Sequence, residues 1–270
     1  MTSTPLNIAL LGISGRMGRT LLTAMEDASD LRLSGALASP DSRWLNQDAG
    51  ELAGPSAAGI IITADPTAAI RGAMVAVEFA LASATPKIAT ACAAAGCPIV
   101  IGSTGHTNEQ RTAIEAAAKG VAIVMAPNFS LGVNLLLKLA ELAGKTLNAD
   151  YDIEIFEAHH RNKKDAPSGT ALGIGHAAAR GRGTTLQKDA VYTRQGETGV
   201  RPRGAIGFSV LRGGDIIGDH TVTFAGAGER IELTHRAQDR MSFARGALVA
   251  ARWIVGKKPG LYSMQDVLGL

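Results

Sequence analysis

Through the first half of the chain, short apolar runs alternate with longer stretches of helical spacing. "LNIALLG" (6–12), "LRLSGALAS" (31–39), "MVAVEFA" (74–80), "PIVIGS" (98–103) and "VAIVMA" (121–126) are rich in Val, Ile, Leu and Ala. Near-continuous apolar runs of this length predict strands buried on both faces. Between them, "RMGRTLLTAMEDA", "PKIATACAAAG" and "NEQRTAIEAAAK" carry strong helix formers or a helical apolar stripe. Apolar strands separated by helices predict a parallel sheet covered on both sides.

The pattern changes after residue 130. "LGVNLLLKLAELAGKTL" (131–147) predicts a long helix, "YDIEIFEAHH" (151–160) a strand and "SGTALGIGHAAAR" (168–180) another helix. Three alternating runs follow, "RGAIGFSVLRG", "DIIGDHTVTFAG" and "ERIELTHRA", separated by glycine-rich turns and expected to be antiparallel. The expectation is a second, α+β domain on a mixed sheet. The last helix, "MSFARGALVAARWIV" (241–255), has an apolar stripe and no strand expected after it, and would pack back on the first domain. Residues 1–130, completed by 241–270, and residues 131–240 are thus the two expected domains.

Composition narrows the function classes. With 46% hydrophobic residues in 270, the chain can bury a core and is not expected to be disordered. No apolar run reaches the roughly 20 residues of a bilayer span, and "MTSTPLNIALLG" has no basic segment before its apolar stretch, so a cytoplasmic protein is expected. Cys92 and Cys97 form no disulfide framework and lack partners for a metal site. The net charge of +3 permits nucleic-acid binding, but aromatics are 4% and no basic stretch interleaves with them, so a small anion is the better partner.

Two stretches carry candidate chemistry. In "LNIALLGISGRMGRTLL", Gly12, Gly15 and Gly18 stand where the first strand meets the first helix. Glycines allow the tight turn and close backbone approach, and the helix start offers N–H groups and a positive dipole end to a pyrophosphate. The spacing, G-x-x-G-x-x-G, is not the commoner one, but its strand-before, helix-after context predicts a Rossmann-like, doubly wound dinucleotide domain. Arg16 can add charge there. The acid that often binds the adenosine ribose about 20 residues on is missing: Ala38, Ser39 and Pro40 occupy its place. Ser39, Ser42 and Arg43 could meet a 2′-phosphate, which favours NADPH, or both cofactors, over strict NADH dependence.

The second stretch is "EAHHRNKKDAPSGTA" (157–171). Pro167 suits a helix start, Ser168 can cap it, and Gly169 and Thr170 supply first-turn N–H groups, so a carboxylate can be held there. His159 and His160 would point to opposite faces in a strand, which argues against a shared metal and for separate roles, one binding substrate and one assisting proton transfer. Lys163, an ammonium expected among cationic neighbours, is a candidate general acid. His176, His220 and His235 are expected at the surface without partners. His106 is either near the cofactor or an ordinary loop histidine, and Trp44 and Trp253 are expected to pack rather than stack on a ligand.

"GISGRMGR", "VIGSTG", "NFSLGVN", "GFSVLRGGDIIGDHTV", "GLYSMQDVLGL" and above all "EAHHRNKKDAPSGTA" resemble the bacterial 4-hydroxy-tetrahydrodipicolinate reductases, also called dihydrodipicolinate reductases. The resemblance spans essentially the whole chain. It implies NAD(P)H-dependent reduction of a cyclic dicarboxylate, with loss of water, on the diaminopimelate route to lysine. Carried over by motif, Gly12, Ile13, Ser14, Gly15, Arg16 and Met17 would hold the pyrophosphate, with Ala38 and Ser39 on the adenosine side. Gly102, Ser103 and Thr104, with Ala126, Pro127, Asn128 and Phe129, would meet the nicotinamide. His159 and Lys163 would serve proton transfer, and His160, Ser168, Gly169 and Thr170 would bind substrate, with no metal. A homotetramer built through second-domain sheets is also implied. Two departures concern the cofactor side: Ala38 replaces an acid that some members carry, and a common "DFT" reads "EFA" at Glu78, Phe79 and Ala80. Another two-domain NAD(P)-dependent dehydrogenase, or a non-catalytic dinucleotide sensor, are the alternative readings.

Overall fold

A computed structural model describes residues 4–54, 57–147 and 149–270. The first three residues of the segment read for a leader lie outside that range. In chain order the elements are β1 (Leu6–Leu11), α1 (Arg16–Glu26), β2 (Leu31–Leu37), α2 (Pro66–Ala69), β3 (Val75–Glu78), α3 (Thr85–Ala95), β4 (Ile99–Ile101), α4 (Asn108–Ala117) and β5 (Ala122–Met125). Then follow α5 (Leu131–Thr146), β6 (Asp152–His159), α6 (Gly169–Gly181), α7 (Leu186–Asp189), β7 (Ala190–Val191), β8 (Ile206–Arg212), β9 (Gly218–Gly226) and β10 (Glu229–Ala237). The chain closes with α8 (Met241–Ile254), β11 (Gly260–Tyr262) and α9 (Met264–Leu268).

The chain divides into two compact units, Met1–Ser130 with Met241–Leu270, and Leu131–Arg240. In the first, six parallel strands lie in the order β11-β5-β4-β3-β1-β2. Side chains alternate across this sheet with the period of two that a strand imposes. Ile8, Leu10, Val75, Val77, Val100 and Val124 join a cluster with α1 and α8, while Ala9, Leu11, Ala76, Ile99, Ile101 and Ile123 join one with α3 and α4. Both faces are dry, so the strands are apolar at nearly every position. The strand order reverses between β1 and β3, and a ligand crevice forms at the carboxyl ends of such a pair.

β11 was not expected. It follows α8 and pairs in parallel with β5 through Gly260, Leu261 and Tyr262. A three-residue edge strand that opens on glycine and exposes Leu261 at 45% carries too little apolar periodicity to announce itself.

The second unit is a mixed five-stranded sheet, β10-β9-β6-β8-β7, with α5 and α6 packed over one face. β6 pairs in parallel with β8 and antiparallel with β9, and β9 with β10 antiparallel. The expectation of three antiparallel strands is therefore corrected at β8. It is not a neighbour of β9, because β6 lies between them. Glycine-rich turns mark strand ends, but they do not say which edge the next strand joins.

Candidate functional site

In the first unit, a cleft of about 460 Å³ opens at the β1/β3 switch point. It is lined by Gly12, Ser14 and Gly15 after β1, Ala38 and Ser39 after β2, and Phe79 and Ala80 after β3. Gly12 has φ +87°, and a Cβ there would lie 2.7 Å from the Phe79 carbonyl oxygen. A Cβ on Gly18 would lie 2.4 Å from the Gly12 carbonyl oxygen. Neither position admits a side chain, so the turn brings its backbone directly to the cleft. Gly15 is the N-cap of α1, whose start combines N–H groups with the positive end of the helix dipole. Arg16 is exposed in its first turn, while Ile13 is buried in the core, which leaves only its backbone for a ligand.

Ser42 and Arg43, expected near a 2′-phosphate, both lie against Trp44. Ser42 accepts the Trp44 N–H at 3.3 Å, and Arg43 lies 5.0 Å from the Trp44 ring centre, with Arg19 at 5.4 Å. The lysine that lines the cleft is Lys87, an exposed residue of α3 that sequence reading passed over.

Farther along the sheet edge, Gly102 backs onto the Phe79 ring so closely that a Cβ would lie 2.2 Å from its edge carbon. Phe79 meets Phe129 edge to face at 5.8 Å. The loops after β3, β4 and β5 thus converge on one aromatic pair, bringing together the 102–104 and 126–129 segments. Ala126 donates its N–H to the Ile101 carbonyl, and the Asn128 side chain accepts the Ser130 N–H at 2.8 Å.

A buried carboxylate ties these loops together. Glu78 is 0% exposed and accepts bonds from the Ala80 N–H (2.8 Å), the Ser103 hydroxyl (2.7 Å) and the Thr85 hydroxyl (3.3 Å). Ser103 also lies 3.2 Å from His106 Nε2. Burial raises the Glu78 carboxyl above its ordinary value, against the opposing pull of these donors. The Ser103 hydroxyl, expected at the cofactor, faces this network, and His106 is a loop histidine whose ring is buried against it.

The second constellation lies wholly within the second unit. β6 delivers Glu157 and His159 to the same face, two residues apart, as strand geometry requires. His159 Nδ1 is 2.6 Å from Glu157 Oε2. Arg212, from β8, binds both Glu157 oxygens at 2.7 Å, a bidentate arrangement that fits an ionised carboxylate. Burial pushes the Glu157 carboxyl up, but the bonds from Arg212, His159 and the Ser168 N–H outweigh it and the net displacement is downward. His159 is displaced below its ordinary value by burial, which the adjoining Glu157 opposes and Lys163 and Arg212 reinforce.

Ser168 caps α6 as expected, its hydroxyl accepting the Ala171 N–H at 3.1 Å. Being 2% exposed, the hydroxyl also meets His220 Nε2 at 2.9 Å, so its contribution is to hold the helix start that presents Gly169 and Thr170. Gly169 is exposed and Thr170 half-buried in that first turn. The expectation that His220 is a partnerless surface position is corrected: it is 4% exposed, and its ring meets His159 edge to face at 5.1 Å. It comes from β9, and only the pairing of β9 with β6 brings it here.

His160 follows the strand, and its N–H bonds the Ile216 carbonyl at 2.7 Å. Lys163 sits 3.0 Å from Asp165, so the group touching it is an anion where cations were expected. A methyl at Gly218 would come 3.0 Å from His159 Nε2, so glycine keeps the outer ring nitrogen uncrowded. Among the described residues no group of three or more His, Cys, Asp or Glu could hold a metal.

Residues 6–129 match the family model for the N-terminus of dihydrodipicolinate reductase, and residues 132–268 match that for its C-terminus. The chain belongs to this family. A 4-hydroxy-tetrahydrodipicolinate reductase of Nitrosomonas eutropha is 53% identical over 267 residues, covering 99% of each chain. One from Thiobacillus denitrificans is 54% identical over 263 residues, covering 97% of this chain and 98% of its own. Among solved structures, a dipicolinate-bound dihydrodipicolinate reductase from Paenisporosarcina sp. TG-14 superposes with a TM-score of 0.77 at 23% identity, covering 97% of this chain and 99% of that one. At that identity the likeness speaks for the fold, and the reductase family relation rests on the sequence matches.

Proposed function

We propose that the chain reduces 4-hydroxy-tetrahydrodipicolinate to tetrahydrodipicolinate with NAD(P)H and loss of water, in the diaminopimelate route of lysine biosynthesis. The observation that carries this reading is the folded His159–Lys163–Ser168 constellation, in a chain more than half identical over its full length to reductases of that name. The dipicolinate held by the Paenisporosarcina relative is a planar dicarboxylate of the same class. A dicarboxylate suits the α6 start, where Gly169 and Thr170 lie at the positive helix end.

The first unit suits a dinucleotide. Gly12 and Gly18 leave no room for side chains, and Gly12 through Met17 would hold the pyrophosphate. When bound, the nicotinamide supplies the hydride that reduces the ring. The residues lining the cleft at Ala38 and Ser39 include no carboxylate and include Lys87, which supports use of NADPH beside NADH. In the second unit, Lys163 or His159 supplies the proton that completes the reduction, and the basic residues of the 159–163 stretch would lower the energy of the electron-rich intermediate.

The assembly we infer is a homotetramer formed through the open face of the second-unit sheet, where Phe156 and Leu211 are each 41% exposed. No helix among the described residues is long and apolar enough to cross a membrane, and a reaction that draws on the soluble NAD(P)H pool suits a cytoplasmic enzyme.

The test is loss of NADPH and NADH absorbance in parallel, with substrate generated in place from pyruvate and aspartate semialdehyde by its synthase. Oxidation of both, with kcat/KM at least as high for NADPH, is expected. Cofactor binding without oxidation of either would sink the assignment.

A further inference from the structure

Glu157 is 0% exposed, and each carboxylate oxygen has two partners. Oε2 meets His159 Nδ1 at 2.6 Å and Arg212 at 2.7 Å. Oε1 accepts the Ser168 backbone N–H at 2.9 Å and a second Arg212 N–H at 2.7 Å. The same Arg212 also donates to the Asp165 carbonyl at 2.8 Å, in the loop that carries Lys163. One carboxylate therefore touches the imidazole assigned to proton transfer and the cap of the helix assigned to the substrate.

Chemistry follows from the direction of these bonds. An ionised carboxylate only accepts, so the proton on His159 must sit on Nδ1. The nitrogen left to exchange a proton is Nε2, beside Gly218. The Ser168 N–H bond to the same carboxylate sets where α6 begins relative to that ring.

We propose that Glu157, clamped by Arg212, is the positioning residue of this site. It holds His159 in the tautomer that frees Nε2 and anchors the α6 N-terminus at a fixed distance from it. The proposal rests on the reductase reading for the use made of the proton, but not for the tautomer. The charged and titratable groups facing His159 are Glu157 on its own strand, Lys163 in the following loop, Arg212 on β8 and His220 on β9.

The test uses the full chain labelled with 15N-histidine, the His159 signals being assigned by their loss in His159→Gln. Imidazole nitrogen shifts should show the Nδ1–H tautomer in the unaltered protein. Glu157→Gln keeps the shape and removes the charge, so the His159 midpoint should fall by about 1 to 3 pH units. The corresponding limb of the kcat profile should move with it, and kcat itself should drop about 10- to 100-fold, the range in which loss of a ligand-orienting partner is felt, with KM for cofactor unchanged. If the lone Arg212 prevents folding, Glu157→Gln with Arg212→Met removes both charges, and a smaller fall of the same sign is expected. An Nε2–H tautomer in the unaltered protein, or an unmoved His159 midpoint in either folded variant, would overturn the proposal. Absence of turnover by the unaltered protein would instead sink the reductase reading, while the tautomer and midpoint would still judge the clamp.

Discussion

Burial takes the His220 imidazole from 6.5 down to about 4, with the neighbouring His159 adding to the effect. Between those two values the unfolded chain binds a proton at this position and the folded chain does not. Stability is therefore complete above about pH 6.5 and declines as pH falls towards 4, by up to about 3 kcal/mol from this residue. Urea denaturation at pH 7.5 and 4.5 measures the loss, and His220→Gln isolates it: the variant should lack that share of the decline. Parallel losses in both proteins would show that His220 does not carry it. Lys163 makes a complementary case. Its side chain is 21% exposed and pairs with the 63% exposed Asp165, so removing it leaves no buried charge behind. Lys163→Ala should lower kcat by about 10² to 10⁴ while the denaturation midpoint stays put. A near-normal kcat would take Lys163 out of the chemistry. The two residues also differ in how visibly they were written in the chain. Lys163 stands inside one dense motif. His220 and Arg212 lie more than 40 residues beyond it and reach it only through the pairing of β6 with β9 and β8.

At the scale of elements, local signals were legible and pairings were not. The start of α6 is set by Ser168 and the turn before it, a few adjacent residues whose capping geometry is intrinsic, and it falls where the sequence predicted. The parallel partnership of β8 with β6 depends on a crossover of the chain that no window of sequence contains, and β11 is too short to have a period. The packing of α5 on α6 lies between these cases: both helices were expected, but their contact through glycines was not. A Cβ at Gly144 would sit 2.5 Å from the Ala178 carbonyl oxygen, and one at Gly181 2.1 Å from that of Glu141. The two backbones touch, and no rotamer relieves a clash with main-chain atoms. Gly144→Leu should therefore cost about 1 to 3 kcal/mol or more, read as a lower urea midpoint. Because α5 and α6 cover the face that carries Ile153 and Ile155, an unchanged midpoint would mean that the helices separate without disturbing the sheet, against the close approach described here.

For the whole molecule, the second-unit sheet poses a question of cover. One face carries Ile153, Ile155, Ile206, Phe208, Val222 and Phe224 against α5 and α6. The other carries Glu154, Phe156, Ser209, Leu211, Thr221 and Thr223, which follow from alternation along paired strands. Phe156 lies on β6, the middle strand of the five, with Thr221 and Ser209 directly beside it. An aromatic residue in the centre of an open sheet face, rimmed by hydroxyls and by the Glu154–Arg194–Arg201 ion pairs, has the makeup of an interface core with a polar rim. An open face of this kind supports the inferred homotetramer, since sheets from symmetry-related chains can stack through it. Phe156→Asp places a charge at the centre of that contact and changes nothing in the α5/α6 core. Sedimentation velocity should show four chains together in the unaltered protein and a shift to dimers or monomers in the variant, with far-UV circular dichroism preserved. A tetramer that survives the substitution would move the interface away from this face, and a monomer in the unaltered protein would remove the assembly altogether.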